Sequence, residues 1–516
     1  MKFGGQGCMG LVALALLSAC GGGGGGPTLG GPIGGNNPPP STNYTPGVFQ
    51  PSSTFANQCS STTTQNHFLR SWTNETYLWY NEVPDLDPRS IADPLDYFDG
   101  LKTAAITASG QPKDKFHFTY DTDEWIALSQ SGVSAGYGVQ WIVLSPTPPR
   151  EIVVAFTEPG TPATAAGLER GDKIVLIDGQ DAVNGNSNAV IDALNAGVYP
   201  SDVGQTHTFR ILKRSGQSVD LSMTSQEITS DPVQSVKTLQ TPSGLVGYLL
   251  FNDHIATAES ELINAMQTLD AANVQDLVLD IRYNGGGYLD LASELAYMVA
   301  GGVNTSGRTF EQVRFNDKHP VTNPVTGQPL APTPFHSTTQ GFPGTGPAGA
   351  ALPTLDLPRV YVLTSGNTCS ASEAIMNGLR GVDVDVYQIG TTTCGKPYGF
   401  YAEDNCGTTY FTIQFQGEND KGFADYSDGF EPSSSASGTD GFRVPGCVVA
   451  DDFTRALGDP SEGRLAAALA YRDSNNQTCP AASSLVPDGQ FKSSGPVREG
   501  YMIRSPLREN RIMRDR

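Results

Sequence analysis

Between residues 359 and 389 two short apolar runs, Arg359 to Leu363 and Val384 to Ile389, flank a helix-like stretch, Ala371 to Arg380. The runs carry the β-branched and aromatic residues that suit a pleated, buried surface. Strand, helix, strand is a crossover unit, and such crossovers are right-handed, so the second strand returns parallel to the first. Both strands then end on one edge. The same alternation starts earlier, with Leu245 to Phe251, a helix over about 257 to 270 that puts Leu262, Met266 and Leu269 on one face, and apolar Leu277 to Ile281. Residues 236–475 therefore read as an α/β domain in a multidomain chain of mixed α and β structure.

The rest of the chain reads as satellites of that core. Residues 59–128 place Phe68, Leu69, Trp72, Leu78 and Trp79 at helical spacing, which predicts a small helical domain docked on something larger. Residues 129–228 change to short β-like runs such as Thr206 to Leu212, with one helical stretch around Ser187 to Asn195. An excursion over 302–357, rich in Gly, Pro and Thr, reads as a surface insertion long enough to serve as a lid. The end, 476–516, carries Arg498, Arg504, Arg508, Arg511, Arg514 and Arg516 without a core pattern and reads as a basic, disordered, solvated tail, with a membrane-surface contact as the alternative.

Charge and the amino terminus bound the partners. With 32 Lys and Arg against 53 Asp and Glu, the net charge of −21 argues against a nucleic-acid binder, because neutralising phosphates needs a basic face. Lys2 precedes an apolar run, Leu11 to Ala19, too short to span a bilayer, so residues 1–19 read as a signal peptide. Its end, Leu17-Ser18-Ala19-Cys20, resembles the lipobox of bacterial lipoproteins, in which the cysteine carries the lipid. That resemblance implies a chain anchored in the bilayer through Cys20 in the bacterial envelope, at the outer membrane, facing the periplasm or the surface. Residues 20–58, mostly Gly, Pro, Asn, Ser and Thr, would be a flexible tether. With Cys8 removed and Cys20 acylated, Cys59, Cys369, Cys394, Cys406, Cys447 and Cys479 remain, an even set for disulfides whose pairing stays open among 15 possibilities. No Cys or His pair has metal-ligand spacing, so no metal is expected.

Chemistry should gather where the parallel strands end. Leu277 to Ile281 leads into Asn284-Gly285-Gly286-Gly287, where missing side chains let main-chain N–H groups face a substrate. Arg359 to Leu363 leads to Ser370 at a helix N-terminus, where free N–H groups favour developing negative charge. Val384 to Ile389 leads to Thr393-Cys394-Gly395-Lys396-Pro397. Ser370 and Lys396 can therefore meet on one edge, joined by Gly286 or Gly287. A serine hydroxyl needs a base to take its proton. Lys396 can act as one only when uncharged, which needs apolar surroundings to bring its pKa from about 10.4 toward about 7–8.

Two motif sets then carry a family resemblance. Glu158-Pro-Gly-Thr-Pro-Ala, followed by Ala166-Gly-Leu-Glu-Arg-Gly-Asp-Lys-Ile-Val-Leu-Ile-Asp-Gly179, is similar to the core of a PDZ domain, and Gly136-Tyr137-Gly138-Val139 matches the loop that receives a peptide's terminal carboxylate. Together with the LDIRYNGGG run, Ser370-Ala371-Ser372-Glu373 and the Gly395-Lys396 pair, they resemble the carboxyl-terminal processing peptidases. The resemblance implies a crotonase-like core, serine endopeptidase activity on polypeptide tails and no cofactor. It makes Ser370 the nucleophile and Lys396 the base, with an oxyanion hole from the N–H of Ala371 and of Gly286 or Gly287. One position departs: many members carry a Gln four residues after the lysine, where this chain has Phe400. Two rivals stay open, a Ser/His hydrolase using His254 and a catalytically silent PDZ scaffold or chaperone for exported polypeptides.

Overall fold

A computed structural model describes residues 42–107, 109–200, 202–436 and 441–480, together with the main chain of 501–503 and 511–512. The proposed signal peptide and Cys20 lie outside the described residues. At the centre is a seven-stranded sheet in the order Ser235–Thr241, Gly244–Leu250, Asp276–Asp280, Arg359–Thr364, Asp385–Gly390, Arg443–Val448 and Glu431–Ser433. From Gly244–Leu250 onward its neighbours run parallel, and one rung passes from Leu250 to Asp280, Leu363, Ile389 and Cys447. The strand ends therefore do share one edge. Helices Ala258–Ala271, Leu289–Thr305 and Ala371–Gly381 cover one face, where Leu262, Met266, Leu295, Ile375 and Val362 pack. Gly463–Asp473 covers the other, with Leu465 and Ala468 against Tyr361 and Ile389. Both faces being dry, Asp276–Asp280 is buried along its whole length.

Residues 133–229 form a β module closed at its base by Val133–Gly136 paired antiparallel with Gln226–Thr229. Its sheet runs through Val139–Ser145, Glu151–Thr157, Lys173–Ile177, Thr206–Leu212 and Ser218–Thr224, and Asn188–Val198 is its longer helix. The module is joined to the core by buried charge. Arg170 donates to Asp451 Oδ1 at 2.6 Å and to the Tyr283 hydroxyl at 2.5 Å. Arg282, with no exposed surface, binds Asp280 at 2.9 Å, Asp451 at 2.8 Å and Glu462 at 2.7 Å. Removing one member of such a network strands its partners as unpaired buried charges.

Four expectations are corrected. The tether does not run to residue 58: from Thr42 the chain is folded against the helix Thr62–Thr76, where Arg70 binds Asp85 and the carbonyls of Val48 and Thr45. Leu78 and Trp79 follow that helix rather than belonging to it. The 302–357 insertion is no surface excursion, because Phe310, Phe335, Phe342, Leu352 and Leu357 belong to the main core and Thr309–Arg314 pairs with Phe415–Glu418. Its anchors lack a helix or strand period, which hides them from pattern reading. A buried acid pair holds it further: Gln340 N–H donates to Glu259 at 2.7 Å and to Glu294 at 2.9 Å. Burial and the neighbouring Glu259 push the Glu294 carboxyl up to about 9. The tail, finally, contributes two strands, Tyr501–Ile503 and Arg511–Ile512. Strand edges elsewhere in the chain recruit them, and edges are not visible in the tail's own composition.

Candidate active site

The turn after Arg359–Thr364 is fastened to the neighbouring strand end. Thr368 Oγ1 donates to the Ile281 carbonyl at 2.9 Å, and the Asn284 carbonyl accepts from Cys369 N at 3.1 Å and from Ser372 Oγ at 3.0 Å. Ser370 then caps the helix Ala371–Gly381 with φ 59° and ψ −110°. A non-glycine residue in that region holds about 1–3 kcal/mol of backbone strain, which persists only where its surroundings impose it.

Glu373, buried one turn into the helix, imposes it. Its carboxylate accepts from Ser370 N at 2.9 Å, Lys396 N at 2.8 Å, Gly395 N at 2.9 Å and Thr393 Oγ1 at 2.5 Å. Ser370 and Lys396 donate to the same oxygen, Oε2, so their main chains stand within two hydrogen-bond lengths of each other. Burial raises the carboxyl's pKa above its usual range, and the hydrogen bonds from Thr393, Lys396, Ser370 and Gly395 offset only part of that rise. A disulfide between Cys369 and Cys394, with Cα atoms 5.2 Å apart, joins the same two loops covalently.

Lys396 has no exposed surface, and its Nζ lies 4.4 Å from the Phe116 ring centre and 4.6 Å from that of Phe400. Phe400 is itself buried against Phe411 and Phe118. The position expected to carry an orienting amide instead supplies an aromatic wall. Ser370 is equally buried. Beyond Gly287 and Tyr288, a cavity of about 300 Å³ is lined by Leu289, Val313, Leu330 and Tyr401 and by His336, whose Nε2 lies 2.9 Å from Asp290 Oδ1.

Three sequence profiles match the chain: the peptidase S41 N-terminal domain over residues 64–120, the PDZ domain over 129–198 and peptidase family S41 over 245–399, a span holding Asn284 to Gly287, Ser370 and Lys396. The chain carries the S41 peptidase domain together with the S41 N-terminal domain. It is 28% identical over 219 residues to a carboxyl-terminal-processing protease of Picosynechococcus sp., covering 40% of this chain and 48% of that one. It is 31% identical over 176 residues to carboxyl-terminal-processing peptidase 2, chloroplastic, of Arabidopsis thaliana, covering 33% and 32%. The chain thus spans less than half the length of these curated relatives. A crystal structure of a Bacteroides fragilis protein assigned to the S41 proteases shares the fold, with a TM-score of 0.59 at 21% identity, covering 79% of this chain and 97% of that one.

In this S41 chain the structure sorts the other expected residues. Ala371 opens the helix after Ser370. Gly286 does not fit its expected part, because its N–H is already donated to Asn284 Oδ1 at 2.9 Å. Gly287, with φ 138°, keeps the role of second oxyanion donor open. His254 sits beneath this loop: its carbonyl accepts from Tyr288 N at 3.0 Å, and its Nδ1 is 2.8 Å from Asn284 Oδ1. Burial pulls its pKa down to about 3, which makes it a poor proton acceptor and argues against the Ser/His alternative. In the PDZ loop Gly136 ends a strand, Gly138 has φ 73° and Val139 begins the next strand. Tyr137 is buried, its ring 5.7 Å from Phe209, and anchors the loop in the module's own core. Asn284 and Glu373 are the residues the strand-end reading missed. The Ser370-x-x-Glu373 spacing of a capping box was a signal for the second.

Proposed function

We propose that this chain is a serine endopeptidase that cuts exported polypeptides through a Ser370–Lys396 dyad. The observation that carries the reading is the single Glu373 oxygen bound to the main-chain N–H of both residues, beside a lysine walled by Phe116 and Phe400. The absence of exposed surface favours an uncharged amine over a solvated ammonium, against the weaker pull of the two ring faces toward a cation. Lys396 takes the Ser370 proton as Oγ attacks a peptide carbonyl, and the oxyanion is held by the N–H groups of Ala371 and Gly287, each such donor being worth about 100-fold or more in rate. Lys396 then passes the proton to the leaving amine, and water releases the acyl group.

Unfolded substrates would reach the dyad after their tails add to the PDZ module beside Gly136–Val139. An anchor at lipidated Cys20 would hold the enzyme in the envelope, at the outer membrane. Fluorophosphonate labelling with peptide mapping tests the core of this reading. Label on Ser370, retained in His254→Asn and lost in Lys396→Ala, supports it. Label that survives Lys396→Ala removes the dyad. Tail binding with no label and no cleavage products favours the scaffold.

A further inference from the structure

The two tail strands sit at places where a polypeptide substrate would be expected. Tyr501–Ile503 is the outermost strand of the PDZ sheet, antiparallel to Val139–Ser145, with Tyr501 opposite Val143, Met502 opposite Ile142 and Ile503 opposite Trp141. Addition of an antiparallel strand beside the strand that follows the Gly136–Val139 loop is how a PDZ module takes its ligand. The polarity agrees as well, since the tail runs toward that loop. It does not end there. Ile503 lies two positions short of Val139, and the chain continues to Arg516. The edge is therefore filled by internal main chain rather than by a terminus.

The second contact lies beside the dyad. Arg511–Ile512 pairs parallel with Gly287–Tyr288, so Arg511 stands opposite the glycine that is the candidate oxyanion donor. The same strand lies against Tyr398–Gly399, which follows Lys396 by two residues. A chain laid on the PDZ edge thus reaches the catalytic loops with its downstream part.

Resting on the peptidase reading, we infer that the PDZ edge strand and Gly287–Tyr288 form one track for extended polypeptide, gripped through internal main chain, and that the chain's own C-terminal segment is its resident ligand. Substrate has to displace Tyr501–Ile503 and Arg511–Ile512 before it can meet Ser370. The basic character of this segment, six arginines from Arg498 onward in a chain of net charge −21, favours its return to the parent surface.

Amide hydrogen exchange on the full chain carrying Ser370→Ala tests occupancy without any need for activity. The Tyr501 amide and amides within 141–143 should exchange at least tenfold more slowly than in the same chain with Met502→Pro and Ile503→Pro, because proline has no N–H and cannot join the ladder. A synthetic peptide of residues 496–516 added to the proline variant should restore protection at 141–143, equally as free acid and as carboxamide. With Ser370 intact, the proline variant should cleave an unfolded polypeptide with KM at least threefold lower and kcat unchanged. Free-peptide exchange rates at 501–503 in the full chain, equal protection at 141–143 in both chains, binding only of the free-acid peptide, or an unchanged KM would each overturn the inference. Protection as expected with no cleavage by either chain would instead sink the peptidase reading and leave the resident ligand standing.

Discussion

Glu373→Gln is the sharpest test of how the dyad is assembled. The carboxylate serves four donors, the N–H groups of Ser370, Gly395 and Lys396 and the Thr393 hydroxyl. Alanine would orphan all of them. At about 1–3 kcal/mol per buried unsatisfied donor, that loss reaches about 4–12 kcal/mol, as large as the whole stability of an ordinary domain, so an inactive alanine variant would teach little. Glutamine keeps one oxygen. If that oxygen takes the Oε2 position, Ser370 and Lys396 keep their acceptor, Thr393 can turn its hydroxyl to accept, and only the Gly395 N–H is orphaned, for about 1–3 kcal/mol. The three bonds that remain also lose their charge assistance, which roughly halves each of them. Gly395 immediately precedes Lys396, so a shift there moves the amine relative to Ser370 Oγ, and misplacement by about 1 Å costs about 100-fold. The expected result is a kcat about 30–100-fold lower on an unfolded polypeptide, KM within twofold of native, slower fluorophosphonate labelling of Ser370 and a lowered melting temperature. A variant that folds and retains more than half the native kcat would refute the claim that Glu373 positions the dyad.

Three further outcomes are expected. Cys369 and Cys394 close a 25-residue loop, worth about 3.5 kcal/mol in chain entropy, so Cys369→Ser with Cys394→Ser should lower both melting temperature and kcat; unchanged kinetics would show that the hydrogen bonds suffice. Phe400→Gln buries an amide among Phe116, Phe118 and Phe411 and should lower the melting temperature without raising kcat; a gain in kcat at unchanged stability would mean that the aromatic wall is no substitute for an amide. Glu294 has its carboxyl pKa raised from 4.5 to about 9 in the folded chain, so its stabilising contribution is whole below pH 4.5 and lost as the pH rises through about 9. Protection at the amides of 340–342, taken relative to the intrinsic base-catalysed exchange rate, should fall over that rise in the native chain and stay flat in Glu294→Gln, and a pH-independent difference between the two chains would contradict the assignment.

The central sheet was legible because its strands are continuous apolar runs and crossover handedness leaves little choice of arrangement. Two strand ends on one edge are enough to bring Ser370 and Lys396 together. The clamp on them was harder to read. A glutamate at the third position of a helix looks like an ordinary cap, and only the fold reveals that its second oxygen faces Thr393 and Gly395. Gly286 and Gly287 are alike in sequence, and the Asn284 side chain distinguishes them by taking the N–H of the first. The insertion and the first folded residues after Thr42 escaped because single Phe, Leu and Tyr anchors in Gly- and Pro-rich stretches have no period. Cysteine pairing was open because Cys59 and Cys406 are neighbours only in space.

That last bond, across 347 residues, has a bearing on how the protein is made. The strand Phe118–Asp121 finds its partner in Thr408–Phe411, and Trp72 and Phe98 lean on Tyr410. The opening quarter of the polypeptide therefore cannot complete its interior until synthesis has passed residue 411. A nascent chain arrested before that point would display Phe68, Trp72 and Phe98 to chaperones and degradative enzymes, so truncated products mark themselves for removal from their front end.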